Sequence, residues 1–230
     1  MLIEKKETYN VDLVKSEFPA LQRKVWGKPL CYLDSAASMQ KPKKVLEAIN
    51  YNYSFNYSNV HRGLHFLSEQ ATLNYENSRK KIANYLNAKE NEIIFTSGAT
   101  AAINLVAYSW GSINLKKNDE IILTIAEHHS NFVPWQYISK SREAKLKIAY
   151  FDPDKNFDIE EIKKLVTDKT KLIAFPHVSN VLGTIFPVKE ICQFARSIGA
   201  VSFVDGCQGA THFEVDVKSL GCDFYCFSGH

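Results

Sequence analysis

Five short apolar stretches in the second half of the chain constrain the fold more than any other feature. They read IILTI, LKIAYF, LIAF, VSFV and FYCF, at residues 121–125, 146–151, 172–175, 201–204 and 224–227. Each is strand-length and largely apolar, which is typical of a strand covered on both faces. Segments with helical spacing separate them, near residues 133–142, 159–166 and 188–198. The pattern predicts an α/β fold with three layers, α-β-α, around a mainly parallel sheet.

The first half of the chain predicts further elements. Helices are expected over residues 11–18 and 42–57, and Ser68 is expected to cap a third. The stretch EIIFT at 92–96 predicts another strand, followed by a turn and a helix. We expect residues 1–20 to form an appendage and residues 21–230 to form one large domain.

Composition excludes several classes of function. The 230 residues carry a net charge of +3, with lysines in scattered pairs and no long basic block, so nucleic acid is not an expected partner. No apolar run approaches the roughly 20 residues needed to cross a bilayer, so we expect no membrane segment and a cytoplasmic location. The five cysteines contain no Cys-x-x-Cys pair, which favours reduced thiols over a disulfide framework or zinc site.

Polar residues follow the predicted strands at the point where each strand ends. In an open parallel sheet, the carboxyl ends of the strands meet at one edge, where ligands bind. The polar clusters, in chain order, are Ser97–Thr100, Glu127–Asn131, His177 with Ser179 and Asn180, Asp205 with Cys207 and Gln208, and Ser228–His230.

Single clusters allow more than one interpretation. Residues 97–100 either bind phosphate at a helix N-terminus or simply cap that helix. His128 and His129 are adjacent, so their side chains diverge, and one of them could equally be a core histidine. Asp205 is costly to bury, so either water solvates it or a cationic ligand atom pairs with it, such as a protonated pyridine nitrogen.

Metal and nucleotide sites have little support. His61 and His65 have i, i+4 spacing, but no zincin-type glutamate lies nearby and Gly63 interrupts the helix, so we expect no metal there. Neither a Gly-x-Gly-x-x-Gly signature nor a Walker loop occurs. The clusters taken together match the requirements of a planar, phosphorylated, cationic heterocycle, and predict pyridoxal 5′-phosphate (PLP) as cofactor.

Six segments then reveal a family resemblance. They are Tyr32–Ala37, Val60–His65, Glu127–Asn131, His177–Gly183, Val204–Gln208 and Phe224–His230. These closely resemble SufS-type cysteine desulfurases, a subgroup of the class-V aminotransferase family that includes selenocysteine lyases. The resemblance runs from about Phe18 to His230, and implies the large domain of a fold-type-I PLP enzyme.

The resemblance implies roles around the pyridine ring. His128 would stack on the ring and act as the catalytic residue for proton transfer. Asp205 would pair with the ring nitrogen, and Gln208 would donate to the phenolic oxygen. Asn180 would face the ring oxygen and the substrate carboxylate.

Further roles are implied at the phosphate and at the mouth of the site. Thr100, Ser228 and His230 would bind the phosphate. His61 and Arg62 would meet the substrate near a homodimer interface. The implied reaction converts L-cysteine, or L-selenocysteine, to L-alanine and leaves an enzyme persulfide for iron–sulfur cluster assembly. A sulfur-acceptor protein of the SufE or SufU kind is the implied partner.

The sequence departs from the family pattern at three places. Ala99 stands where many relatives carry a hydroxyl, and Cys207 stands where a small residue such as alanine is usual. In the family, the lysine that binds the cofactor follows Ser-Gly-His at once, and the nucleophilic cysteine, the substrate-binding arginines and a small domain come later. We therefore expect a truncated large domain that is inactive alone. A selenocysteine lyase, or a non-catalytic remnant that binds a partner, remains as an alternative.

Overall fold

The computed structural model describes residues 9–152 and 155–230. They form two compact units, one of residues 9–77 with His230 and the other of residues 78–152 and 155–229. The first eight residues, part of the expected appendage, lie outside the described residues.

The elements alternate as the sequence predicts from β3 onward. The strands are β1 (Lys24–Val25), β2 (Lys28–Pro29), β3 (Glu120–Thr124), β4 (Lys145–Ala149), β5 (Thr170–Pro176), β6 (Val201–Asp205) and β7 (Phe224–Cys226). The helices are α1 (Val11–Ser16), α2 (Lys43–Tyr51), α3 (Phe66–Leu86), α4 (Ala99–Val106), α5 (Ser112–Asn114), α6 (Val133–Ser141), α7 (Glu160–Lys163), α8 (Val188–Ser197), α9 (Gly209–His212) and α10 (Val217–Leu220).

The second unit is built on a parallel sheet with the strand order β4-β3-β5-β6-β7. Successive residues of each strand point to opposite faces, so β3 contributes Ile121 and Leu123 to one apolar cluster and Ile122 to the other. One cluster includes residues of α4 and α6, and the other includes residues of α8. Helices therefore cover both faces, which confirms the predicted three-layer α/β fold.

Residues 92–96 do not form the predicted strand. A short 3₁₀ turn covers Glu90–Glu92, and the extended residues that follow belong to no sheet of the described chain. Ile94 is 71% exposed and Phe95 41% exposed. The apolar pattern was correct for a strand, but a strand also needs a neighbour, and pairing is not encoded in the local pattern. The segment instead lines a groove together with the edge strand β7.

Ser68 is not the cap of α3, because that helix begins two residues earlier, at Phe66. The side chain of Ser68 is fully buried and holds the preceding loop instead. Its hydroxyl accepts a hydrogen bond from the amide of Gly63 at 3.0 Å and donates to the carbonyl of Asn59 at 2.7 Å.

The remaining boundaries differ by a few residues. The helix predicted at 42–57 is α2 followed by one π-helical turn, and the helix predicted at 159–166 shortens to α7. Within residues 9–152 and 155–230, no helix combines the length and the apolarity that crossing a bilayer requires.

Candidate cofactor site

The strand order marks where a ligand crevice should lie. From β3 the chain moves to β4 on one side, and then returns to β5 on the other side. Loops that leave neighbouring strands in opposite directions open a crevice at their carboxyl ends. In this sheet the switch lies between β3 and β5, next to β6. The loops after β3 and β5 carry His128 and Asn180, and Asp205 is the last residue of β6.

Asp205 ends β6 and is only 6% exposed. Its Oδ1 atom accepts a hydrogen bond from the amide of Cys207 at 3.0 Å, and the Cys207 thiol also bonds to its carboxylate. Among the described residues, no lysine, arginine or histidine forms an ion pair with Asp205. A buried carboxylate without a cation is costly, so this position suits a ligand that brings its own positive charge.

Ser228, acting through Cys207, connects this carboxylate to the start of α4. Its hydroxyl accepts a hydrogen bond from the amide of Ala99 at 3.2 Å, and it also interacts with the thiol of Cys207. The sequence suggested these clusters separately. Tertiary packing brings the ends of β6 and β7 together with the N-terminus of α4.

The N-terminus of α4 has the features of an anion-binding site. Gly98 precedes it with φ of +147°, a backbone conformation that side chains disfavour. The first amides of a helix lack intrahelical partners and carry the positive end of the dipole, so they favour a phosphate. Thr100, in the first turn, is exposed and adds a hydroxyl to this end of α4.

His128 and Thr100 line one groove of the second unit. The ring nitrogen Nδ1 of His128 accepts a hydrogen bond from the amide of Ser130 at 3.2 Å and lies 2.7 Å from its hydroxyl oxygen. Because a backbone N–H can only donate, Nδ1 carries no proton in the neutral ring. The proton is on Nε2, which is left for a ligand. His129, by contrast, begins the 3₁₀ turn that follows.

Glu127 is a buried acid that sequence reasoning did not single out. The residue as a whole is half-buried, but its carboxyl group is enclosed and accepts from the hydroxyl of Thr124 at 2.6 Å and from the side-chain amide of Asn131 at 2.7 Å. Burial raises the pKa of Glu127 to about 8, the two hydrogen bonds oppose that rise, and the charge of Asp205 adds to it. In the sequence, the only signal is that Glu127 is the single acid in the polar loop 126–131.

His177 was counted among the polar strand ends, but the structure gives it a packing partner. Its Nδ1 atom lies 2.9 Å from the hydroxyl oxygen of Tyr225, and Phe213 stacks on its ring. Burial lowers the pKa of His177, so the ring is neutral. A Cβ atom on Gly209 would overlap this ring, and one on Gly206 would overlap Tyr225. The loop after Asp205 therefore packs close to these two side chains.

Asn180 and Gln208 lie on loops at this edge of the sheet. Asn180 is exposed in a turn that begins at Ser179, whose hydroxyl accepts from the amide of Leu182 at 3.2 Å. Gln208 is half-buried directly before α9. The amide of His177 donates to the carbonyl of Asp205 at 2.7 Å, so the loops after β5 and β6 leave the sheet side by side.

His61, Arg62 and His230 belong to the first unit. His61 has φ of +69°, and its Nε2 atom lies 2.7 Å from the carboxylate of Glu76. Arg62 and His230 are exposed. Across the described ranges, no three His, Cys, Asp or Glu side chains gather in a way that could hold a metal ion.

The cysteines are free thiols. Burial raises the pKa of Cys207 to about 12, and the neighbouring Asp205 carboxylate raises it further. Cys207 therefore stays protonated at neutral pH, as an inert neighbour of the site.

The residues present fit PLP. The buried carboxylate of Asp205 lacks a cationic partner in the described chain, which matches a protonated pyridine nitrogen. The start of α4 with the hydroxyl of Ser228 matches a phosphate, and His128 offers a flat ring in the loop after β3. A triphosphate or a dinucleotide would not match a site that combines one buried carboxylate with one phosphate-binding helix N-terminus.

Comparison with known proteins identifies the family. The aminotransferase class-V model matches residues 31–230, and the chain belongs to this family. Proteins of this family, among them the cysteine desulfurases, depend on PLP. The cofactor predicted from the polar strand ends is therefore confirmed.

Curated relatives carry a more specific description. A probable cysteine desulfurase of Halalkalibacterium halodurans is 50% identical over 222 residues, which are 96% of this chain and 55% of that protein. A probable cysteine desulfurase of Synechocystis is 49% identical over 94% of this chain and 52% of that protein. The chain thus spans about half the length of the curated relatives it matches.

Solved structures agree with the fold. A cysteine desulfurase from Thermococcus onnurineus NA1 superposes with a TM-score of 0.89 at 39% identity, over 97% of this chain and 54% of that one. The cysteine desulfurase CsdA of Escherichia coli gives a TM-score of 0.84 at 38% identity, over 97% of this chain and 55% of that one.

Proposed function

We propose that this chain carries the PLP-binding part of a cysteine desulfurase. The net reaction is that L-cysteine and an enzyme thiol give L-alanine and an enzyme persulfide. The carbon–sulfur bond of the substrate breaks as a sulfur–sulfur bond to the enzyme forms. The observation that carries the proposal is the buried carboxylate of Asp205, which is joined through Cys207 and Ser228 to the start of α4.

The chain's own residues divide the work of holding the cofactor. Asp205 keeps a proton on the ring nitrogen, because a carboxylate in a buried site stabilises a neighbouring cation. Gln208 and Asn180 would donate to the phenolic oxygen of the ring, and Asn180 would also meet the substrate carboxylate. His128 lies against the ring and moves a proton through Nε2, since its Nδ1 is already occupied.

The remaining proposed roles belong to residues at the phosphate and at the mouth of the site. Thr100, Ser228 and His230 bind the phosphate, and His61 with Arg62 meets the substrate. PLP, when bound, supplies an electron-withdrawing ring that lets the Cα proton of the substrate leave. The second unit excludes water from Asp205, which strengthens its pairing with the ring nitrogen.

Several finer features belong to the same proposal. The chain is of the SufS type, residues 1–20 are an appendage and residues 21–230 belong to the large domain. The protein works as a homodimer in the cytoplasm. It passes sulfur to an acceptor of the SufE or SufU kind for iron–sulfur cluster assembly.

We expect turnover to require groups from the part of such a protein that this chain does not match. A lysine that binds the cofactor and a cysteine that takes the sulfur are the groups we expect there. We therefore expect this chain alone to bind PLP without converting cysteine.

The test combines binding with turnover. PLP is titrated into the chain and followed by its absorbance, and alanine is then measured with L-cysteine or L-selenocysteine as substrate. We expect PLP binding by the chain alone, and alanine only after a polypeptide that supplies the unmatched half of the relatives is added. Selenocysteine turnover without cysteine turnover would instead indicate a selenocysteine lyase, and partner binding without PLP binding would indicate a non-catalytic protein.

Asp205→Asn is the discriminating variant. It removes the charge without changing shape, so the PLP dissociation constant should rise roughly tenfold or more, a loss of about 1.4 kcal/mol. Asp216→Asn is the matched control, because Asp216 caps α10 and binds Asn87. Equal PLP affinity in the wild-type and Asp205→Asn proteins would contradict the assignment.

A further inference from the structure

Glu127 connects three elements of the second unit. Its carboxyl group binds Thr124, the last residue of β3, and Asn131, the last residue of the turn that follows. The side chain of Asn131 is fully buried and accepts a hydrogen bond from the indole of Trp135 at 2.9 Å. Trp135 belongs to α6 and packs edge-on against Phe203 of β6, at 5.3 Å between ring centroids.

His128 belongs to segment 124–131, whose two ends both bind the carboxyl group of Glu127. Its carbonyl accepts from the amide of Asn131 at 2.8 Å, and its ring accepts from the amide of Ser130. Among the described residues, no hydrogen bond or ion pair holds Nε2, so the orientation of the ring depends on the turn that carries it. That turn is anchored to the sheet by the carboxyl group of Glu127 through Asn131.

We propose that Glu127 is a positioning residue, whose buried carboxyl group ties the end of β3 to the turn at 129–131 and thereby fixes the tautomer and the face that His128 presents. The inference rests on the proposed function only in naming the PLP ring as what that face meets. Glu127 touches neither substrate nor cofactor in this assignment, and it acts through His128.

Three variants separate this role from a general effect on stability. Glu127→Gln keeps one acceptor and one donor for Asn131 and Thr124, whereas Glu127→Met fills similar space without hydrogen bonds. Glu120→Met is the matched control, because Glu120 is a buried acid at the opposite end of β3, bound to Lys147 at 2.7 Å. Thr124→Val removes only the hydroxyl that Glu127 binds, and serves where Glu127→Met fails to fold.

The first measurement needs no cofactor. The ring nitrogens of His128 are observed by ¹⁵N NMR in the labelled chain. The wild type, Glu127→Gln and Glu120→Met should show a single neutral tautomer with the proton on Nε2. Glu127→Met, and Thr124→Val more weakly, should show averaging between the two tautomers. An unchanged His128 spectrum in Glu127→Met, or the same averaging in Glu120→Met, would overturn the inference.

The second measurement adds PLP and follows its induced circular dichroism. Glu127→Met should raise the dissociation constant roughly three- to tenfold, about 0.7–1.4 kcal/mol, because PLP binding then has to order the His128 ring. Glu127→Gln should bind within about twofold of the wild type, and in a His128→Ala background Glu127→Met should add nothing. An added effect in that background would refute action through His128. A wild-type chain that binds no PLP would refute the proposed function, and the NMR result would still decide the role of Glu127.

Discussion

Asp205 and Glu127 are two buried acids at the same edge of one sheet, and they have opposite electrostatic requirements. Asp205 receives an amide hydrogen bond and is suited to a ligand cation. Glu127 is bound by a hydroxyl and an amide, and burial favours its neutral form. The position of Asp205, directly after a buried strand, was informative in the sequence. The environment of Glu127 depends on Asn131 and Asp205, so only the folded chain reveals it.

The pKa of Glu127 predicts a particular dependence of stability on pH. Its pKa is about 8 in the folded chain and near the ordinary 4.5 in the unfolded chain. Between these values the folded state binds one more proton than the unfolded state, so the free energy of unfolding falls as pH rises. Relative to Glu127→Gln, the wild type should lose up to about 1.4 kcal/mol per pH unit in this window.

Urea denaturation of both proteins at several pH values from 5 to 9 provides the measurement. Comparing the two proteins cancels the contributions of groups that do not interact with Glu127, whereas Asp205 and the buried thiol of Cys226 interact with it and remain in the difference. A constant difference between wild type and Glu127→Gln across this range would show that Glu127 is ionised when folded.

At the scale of elements, the loop between β6 and α9 is defined by two glycines. Gly206 and Gly209 lie against Tyr225 and His177, whose side chains bind each other. The sequence predicted that Asp205, Cys207 and Gln208 follow the strand, but it did not explain why glycines occupy positions 206 and 209. The reason is the close approach of β7 and the end of β5, which is a tertiary contact.

Gly206→Ala should destabilise the chain by about 1–3 kcal/mol, because the added Cβ overlaps the Tyr225 ring and a packed core yields only by shifting. The free energy of unfolding in urea measures this cost. Replacing Tyr225 by leucine in the same chain should recover part of it, since the two effects share one contact.

Gly229→Ala is the control for this prediction. In the part of the chain that the structure describes, no heavy atom beyond the adjacent residues lies within 4 Å of a Cβ built at Gly229, so the free energy of unfolding should change by less than about 0.5 kcal/mol. A Gly206→Ala protein as stable as Gly229→Ala would mean that the loop after β6 is not closely packed.

The elements also show where local patterns succeed. The five continuously apolar stretches became β3 to β7, because burial on both faces is a property of the stretch itself. Residues 92–96 have a similar pattern but are not paired within the described chain. Ser68 was misassigned for a related reason, since a serine that binds a loop and one that caps a helix look alike in sequence.

At the scale of the whole molecule, buried apolar side chains are unevenly distributed. The second unit contains the apolar clusters on both faces of the sheet. Within residues 9–77, no apolar side chain is buried, and an aromatic run is exposed at Tyr51, Tyr53, Phe55 and Tyr57. The two units should therefore differ in local stability.

Hydrogen exchange should display this difference. Amides of β3, β5 and β6 should exchange slowly, because opening them exposes the apolar core, whereas amides of residues 9–60 should exchange orders of magnitude faster. Mass spectrometry of peptic peptides resolves the two regions. Equal protection in both would contradict the uneven core and would indicate that another surface covers the aromatic run.

The sequence by itself determined the α/β class, the order of the sheet-forming stretches, the polar residues at their ends and the PLP cofactor. The fold class and the polar strand ends follow from local chemistry, because a largely apolar stretch of strand length marks a buried strand. The cofactor follows from the polar clusters taken together and from the family resemblance. Only the tertiary structure decided that Ser228 joins Asp205 to the start of α4, that Glu127 holds the turn carrying His128, and that residues 92–96 are not a strand. Each of these depends on which distant segments become neighbours, and no local pattern carries that information.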